Sequence, residues 1–86
     1  MSQREKLIIK ILSGMGDNNF AFDEICNLLI SFDFLLNVKG SHHIFCRNDI
    51  DEIFNIQPKN GKAKAYQIKQ IRTIIVKYRL GGELDV

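Results

Sequence analysis

The chain has 86 residues, of which twelve are basic and ten acidic, giving a formal charge of +2, and 45% are hydrophobic. This length suits one domain with a single modest core and is too short for two, while the hydrophobic content argues against disorder. Apolar runs such as Leu7–Ile9 and Phe34–Leu36 are far too short to cross a bilayer, and Glu5 interrupts an N-terminus without a signal-like core or cleavage site, so the expectation is a cytoplasmic protein without a membrane partner.

In chain order, Leu7, Ile8, Ile11 and Leu12 fall on one helical face and Lys6 and Lys10 on another, predicting a helix over residues 1–13. Its apolar face suits either the core or a partner surface. The run Gly14-Met15-Gly16-Asp17-Asn18-Asn19 breaks it. A second helix is expected with Asp23 as cap, Phe22, Ile25, Leu29 and Phe32 inward and Glu24, Asn27 and Ser31 outward, ending near Asp33. Phe34, Leu36 and Val38 then alternate with Leu35, Asn37 and Lys39, as in a strand. Gly40-Ser41 turns the chain into a second strand over about His42–Arg47. Asn48-Asp49 turns it into a third over about Glu52–Ile56, with Phe54 and Ile56 on one side and Asn55 and Gln57 on the other, stopped by Pro58 and Gly61. The last helix, about Ala65–Leu80, carries Ile68, Ile71, Ile74, Ile75 and Tyr78 in one stripe, with Gly81-Gly82 as its cap. The predicted class is α+β: an extra N-terminal helix, then α-β-β-β-α with a three-stranded antiparallel sheet. As a domain it divides into a helix-and-loop extension (1–19), a core (22–80) and a tail (81–86).

Charge is segregated along the chain. No Asp or Glu occurs from Ile53 to Gly82, whereas Lys59, Lys62, Lys64, Lys69, Arg72, Lys77 and Arg79 supply seven of the twelve basic residues there. A near-neutral total thus hides a basic C-terminal third, which fits a polyanion or an acidic protein partner. On the last helix, Lys69, Lys77 and Arg79 taken singly also fit a solvated flank around the apolar stripe. Cys26 and Cys46 lie in apolar stretches and read as reduced core or near-core thiols.

Histidine titrates near neutrality without assistance, so its placement marks where proton transfer can occur. The chain has two, adjacent, in Gly40-Ser41-His42-His43 at the start of the second strand. Neighbouring strand residues point to opposite faces, so His42 and His43 cannot serve one site. Which of them faces solvent depends on whether Phe45, sharing the parity of His43, is a core residue. A metal site fails on distance: His42 and Cys46 on one strand lie about 13 Å apart, and His43 faces the other way. Neither metal nor other cofactor is expected.

The motif Lys39-Gly40-Ser41-His42-His43-x-Phe45 at the first hairpin, with Gln57-Pro58-Lys59 leading into the last helix, resembles the HicA toxins of bacterial type II toxin–antitoxin modules. The likeness runs from about Phe22 to Leu80. It implies a double-stranded-RNA-binding-domain-like fold, ribosome-independent cleavage of mRNA, and neutralisation by a HicB-like antitoxin. The catalytic histidine after Gly-Ser in that family carries over to His42. Many family members have His-Pro after the third strand where this chain has Gln57-Pro58, and the helix before residue 14 is additional to the shortest members.

The chemistry is consistent with that implication. RNA carries its own nucleophile, the 2′-hydroxyl, so a nuclease has only to take its proton and stabilise charge at phosphorus. His42 is the candidate base. Lys39, Lys59 and Lys62 are candidates for holding the phosphate, and Ser41, Lys64 and Arg72 extend that RNA-binding set. Two other readings stand beside it: a non-catalytic RNA-binding domain, and an adaptor for an acidic protein.

Overall fold

In the computed structural model, which describes residues 2–82, α1 (Gln3–Leu12) and α2 (Phe22–Ser31) precede a meander of β1 (Leu35–Lys39), β2 (His42–Arg47) and β3 (Ile50–Ile56), and α3 (Ala65–Tyr78) follows. The strands form one antiparallel sheet in the order β1-β2-β3. No helix among the described residues is long and apolar enough to cross a membrane.

Local chemistry accounts for the helix boundaries. Ser2 and Glu5 make a reciprocal capping box at the start of α1: the Ser2 hydroxyl accepts from the Glu5 N–H at 3.1 Å and the Glu5 carboxylate from the Ser2 N–H at 3.2 Å. The cap of α2 is Ala21, not Asp23; Asp23 and Glu24 lie one step inside, where their charges favour the positive end of the helix dipole. At its far end, Asp33 takes a left-handed φ of 69° that turns the chain towards β1. The cap of α3 is Arg79 rather than Gly81-Gly82: its φ of 54° lets the Leu80 N–H reach back to the Ile75 carbonyl at 3.0 Å, two residues earlier than the glycines suggest.

One core lies between the helices and a single face of the sheet. Ile8 and Ile11 of α1, Phe22, Ile25, Leu28 and Leu29 of α2, and Ile68, Ile71, Ile74 and Ile75 of α3 meet Phe45, Phe54 and Ile56 from the strands. The apolar face of α1 therefore belongs to the core. Burying side chains of this size contributes about 1.5–3 kcal/mol each. Phe34 belongs to this core as well, 5.3 Å from the Phe54 ring, but it precedes β1, and Leu36 and Val38 stay exposed because β1 is the sheet edge beyond the helix layer. The third strand begins at Ile50, two residues earlier than expected: an irregularity of register between Phe45 and Arg47 lets Ile50 point into the core.

Candidate functional site

The first hairpin sets the site. Gly40 has φ 61° while Ser41 keeps a negative φ, the pattern of a two-residue type II′ turn, whose twist matches that of the flanking strands. Open space surrounds the position a Gly40 Cβ would take, so the backbone conformation alone calls for glycine. The turn locks Lys39 opposite His42, Asn37 opposite Ile44 and Leu35 opposite Cys46.

Phe45 is completely buried, which resolves the parity of β2. His43 shares its face and meets the Phe22 ring edge-on at 4.8 Å, with Nδ1 3.3 Å from the Ser41 carbonyl. His42, Ile44 and Cys46 therefore project from the sheet face that carries no helices. Cys46 is exposed there, contrary to its reading as a near-core thiol; Cys26 is buried in α2. Burial, with the Asp23 carboxylate in second place, pushes the Cys26 thiol up to about 11.

His42 has two polar neighbours on that face. Its Nδ1 lies 3.0 Å from Asn55 Oδ1 on β3, and the Gln57 amide nitrogen lies 2.8 Å from Nδ1 and 3.0 Å from Nε2. The lone-pair directions of the two ring nitrogens diverge, so one donor cannot align with both, and the amide spans the ring edge. The neutral tautomer that satisfies both amides at once carries its hydrogen on Nδ1, donated to Asn55 Oδ1, with Nε2 accepting from Gln57. A general base needs that lone pair, and here the Gln57 amide 3.0 Å from Nε2 is the donor a substrate hydroxyl has to displace.

The basic residues divide into groups. Lys39 stands directly across the strand pair from His42, beside Ser41 in the turn. Lys59 and Lys62 close a second tight turn: the Lys59 N–H donates to the Lys62 carbonyl at 2.9 Å and the Lys62 N–H to the Lys59 carbonyl at 3.0 Å. Between them Asn60 (φ 54°) and Gly61 (φ 75°) are both left-handed, the signature of a type I′ turn. Lys64 is the N-cap of α3, and with Lys59, Lys62, Asn18 and Tyr66 it lines one open concavity. Lys59 follows Gln57 by two residues, so the concavity begins within about 7 Å of chain from the His42 contact. Arg72 does not join this set. Its Nε donates to the Ile11 carbonyl at 2.7 Å and its guanidinium pairs with Asp17 at 2.5 Å, tying α3 to α1 and the loop after it.

Asn55 and Gln57 are the site residues that sequence reasoning missed as contacts of His42. The alternation of β3 put both on one side, but aligning them with His42 takes the register of β2 on β3. The Asn60-Gly61 turn carried its own signal, the Asn-Gly pair. Among the described residues no three His, Cys, Asp or Glu side chains gather as a metal site. Comparison with family models, with curated proteins and with solved structures gives no match.

Proposed function

We propose that this protein is a metal-independent endoribonuclease that cleaves mRNA as the toxin of a type II toxin–antitoxin pair, on a double-stranded-RNA-binding-domain-like fold, and is neutralised by a HicB-like antitoxin. The observation that carries the reading is the exposed His42, oriented through Nδ1 by Asn55 and paired across the strands with Lys39. In the proposed step Nε2 takes the 2′-hydroxyl proton as the 2′-oxygen attacks phosphorus. The bond to the 5′-oxygen breaks, leaving a 2′,3′-cyclic phosphate and a 5′-hydroxyl. Lys39 offsets the charge that builds on the phosphoryl oxygens. The leaving oxygen departs on the far side of phosphorus, beyond the same imidazole, and takes its proton from water. A nuclease with one titrating group in contact is slow, which suits a toxin acting on mRNA. Lys59, Lys62 and Lys64 extend the phosphate path into the concavity before α3.

A specific observation also favours a non-catalytic RNA-binding domain: the side chains touching His42 are two amides, and neither supplies an acid. One experiment separates the two readings. Wild-type protein and His42→Ala are incubated with a long single-stranded RNA in EDTA, product ends are mapped, and RNA affinity is measured in parallel. The nuclease reading expects 2′,3′-cyclic ends from wild type, a loss of roughly 10²–10⁴-fold in the variant, and unchanged affinity. Equal binding with no cleavage by either protein overturns it in favour of the binding domain.

A further inference from the structure

The outer edge of β1 is built to pair with another strand. All five of its residues are exposed, with Leu35 at 64%, Leu36 at 39% and Val38 at 51%. In a two-residue hairpin the pair flanking the turn is hydrogen-bonded, and bonded and non-bonded pairs then alternate. Lys39, Asn37 and Leu35 therefore bond to β2, and the N–H and C=O groups of Leu36 and Val38 point out of the sheet edge. Edge strands in stable monomers are guarded by proline, inward charges or bulges. Those devices are missing from Leu35-Leu36-Asn37-Val38-Lys39, where the only charge is the last residue. The opposite edge strand, β3, carries Asp51 and Glu52.

We propose that β1 pairs antiparallel with β1 of a second copy about a twofold axis at Asn37, joining two three-stranded sheets into one of six strands. The edge is complementary to itself in that register. Leu36 of each copy faces Val38 of the other, and these two residues exchange the backbone hydrogen bonds that β2 leaves unused. On the open face Leu35 lies against the aliphatic stem of Lys39 from the second copy, and Asn37 meets its own equivalent. No like charges oppose each other, and two exposed apolar pairs become covered. Because paired residues share a face, both helix layers fall on one side and both His42 residues on the other, giving one continuous open face with two copies of the site. Two strand edges of this length make a small interface, so the dimer dissociates on dilution.

The register is read by cross-linking. In a Cys26→Ala, Cys46→Ser background, Asn37→Cys places two thiols on a non-bonded pair with Cα atoms about 4.5 Å apart, within disulfide range, whereas Leu35→Cys leaves its equivalents about 13 Å apart. Mild oxidation is expected to give a disulfide dimer from Asn37→Cys and none from Leu35→Cys; no dimer from Asn37→Cys, or equal yields from both, overturns the proposal. Sedimentation velocity gives a test that does not depend on thiols. Leu36→Glu and Val38→Lys are each expected to sediment as monomers where the wild type dimerises, and their mixture to recover the dimer through a Glu–Lys pair. A wild type that stays monomeric at every concentration, or a mixture that fails to associate, overturns the proposal and leaves the edge to a strand from another protein.

Discussion

At the scale of single residues, the site rests on how one imidazole is held. Asn55 fixes the ring through an uncharged hydrogen bond, and such a bond contributes about 1 kcal/mol, or roughly fivefold in rate where it acts only on orientation. Asn55→Leu, close in size, is expected to slow RNA cleavage by about that factor while leaving RNA affinity within error; loss of affinity with an unchanged cleavage rate would instead make Asn55 a binding contact. The two thiols give a second prediction. Cys26 is buried and stays protonated at neutral pH, its thiol pushed up to about 11, while Cys46 stands on the open face. Iodoacetamide at neutral pH should modify Cys46 alone by peptide mass spectrometry, and Cys26 only after denaturation; equal labelling of the folded protein would refute this. The sequence itself narrowed the histidine question to the parity of Phe45, and burial of Phe45 answered it. It misread Cys46 because an apolar neighbourhood along a strand mixes two faces, and only the parity of Phe45 tells which face is dry.

Among the elements, the contact between β3 and α3 has a defined electrostatic clamp. Glu52 on β3 accepts from Lys77 Nζ at 2.7 Å and from the Tyr78 hydroxyl at 2.6 Å. The Lys77 bond, then the Tyr78 bond, hold the Glu52 carboxyl below its usual range, and the Glu52 bonds raise both Lys77 and Tyr78. A carboxyl depressed in the folded state adds stability that is present above its unfolded pKa and lost as pH falls through the folded value. Groups raised in the folded state add stability that is present below their unfolded pKa and lost as pH rises through the folded value. The clamp therefore works on a plateau between the carboxylate range and about pH 10, weakening on both sides. Urea midpoints measured across pH should show Glu52→Gln destabilised on the plateau, with a flatter acid limb than wild type. Parallel curves for the two proteins would mean the clamp is not coupled to folding. Periodicity put Glu52 on the face of Phe54 and Ile56, but which α3 residues it meets depends on how the helix crosses the sheet, which periodicity does not give. The order of elements was legible because each strong apolar repeat ended at a turn signal. The caps at Ala21 and Arg79 were not, since neither residue type advertises the conformation it takes there.

For the whole molecule, the basic C-terminal third divides into side chains held within the fold and side chains left open, a division that sequence alone could not make. Arg72 is spent inside the fold, on the Ile11 carbonyl and Asp17, and Lys77 is engaged by Glu52. Lys59, Lys62 and Lys64 face one open concavity and Lys39 stands beside His42, so on the proposed reading these four are the cations nearest the site, while Lys69 and Arg79 are exposed on and after α3. The proposed RNA binding predicts an affinity that falls with salt through counterion release, at a slope of about −0.7 per phosphate neutralised, so four contacts give a slope near −3 on logarithmic axes. Lys59→Ala and Lys62→Ala should each reduce that slope by about 0.7 with little change in stability. Arg72→Ala should leave the slope as it is and lower the unfolding free energy by about 1–3 kcal/mol, because it strips partners from a half-buried carboxylate and a backbone carbonyl. Fluorescence anisotropy over a salt series, paired with urea denaturation of the same variants, reads both quantities. A reduced slope for Arg72→Ala with stability unchanged would return that residue to the RNA-binding set and extend the binding surface from His42 and the concavity before α3 along α3 itself.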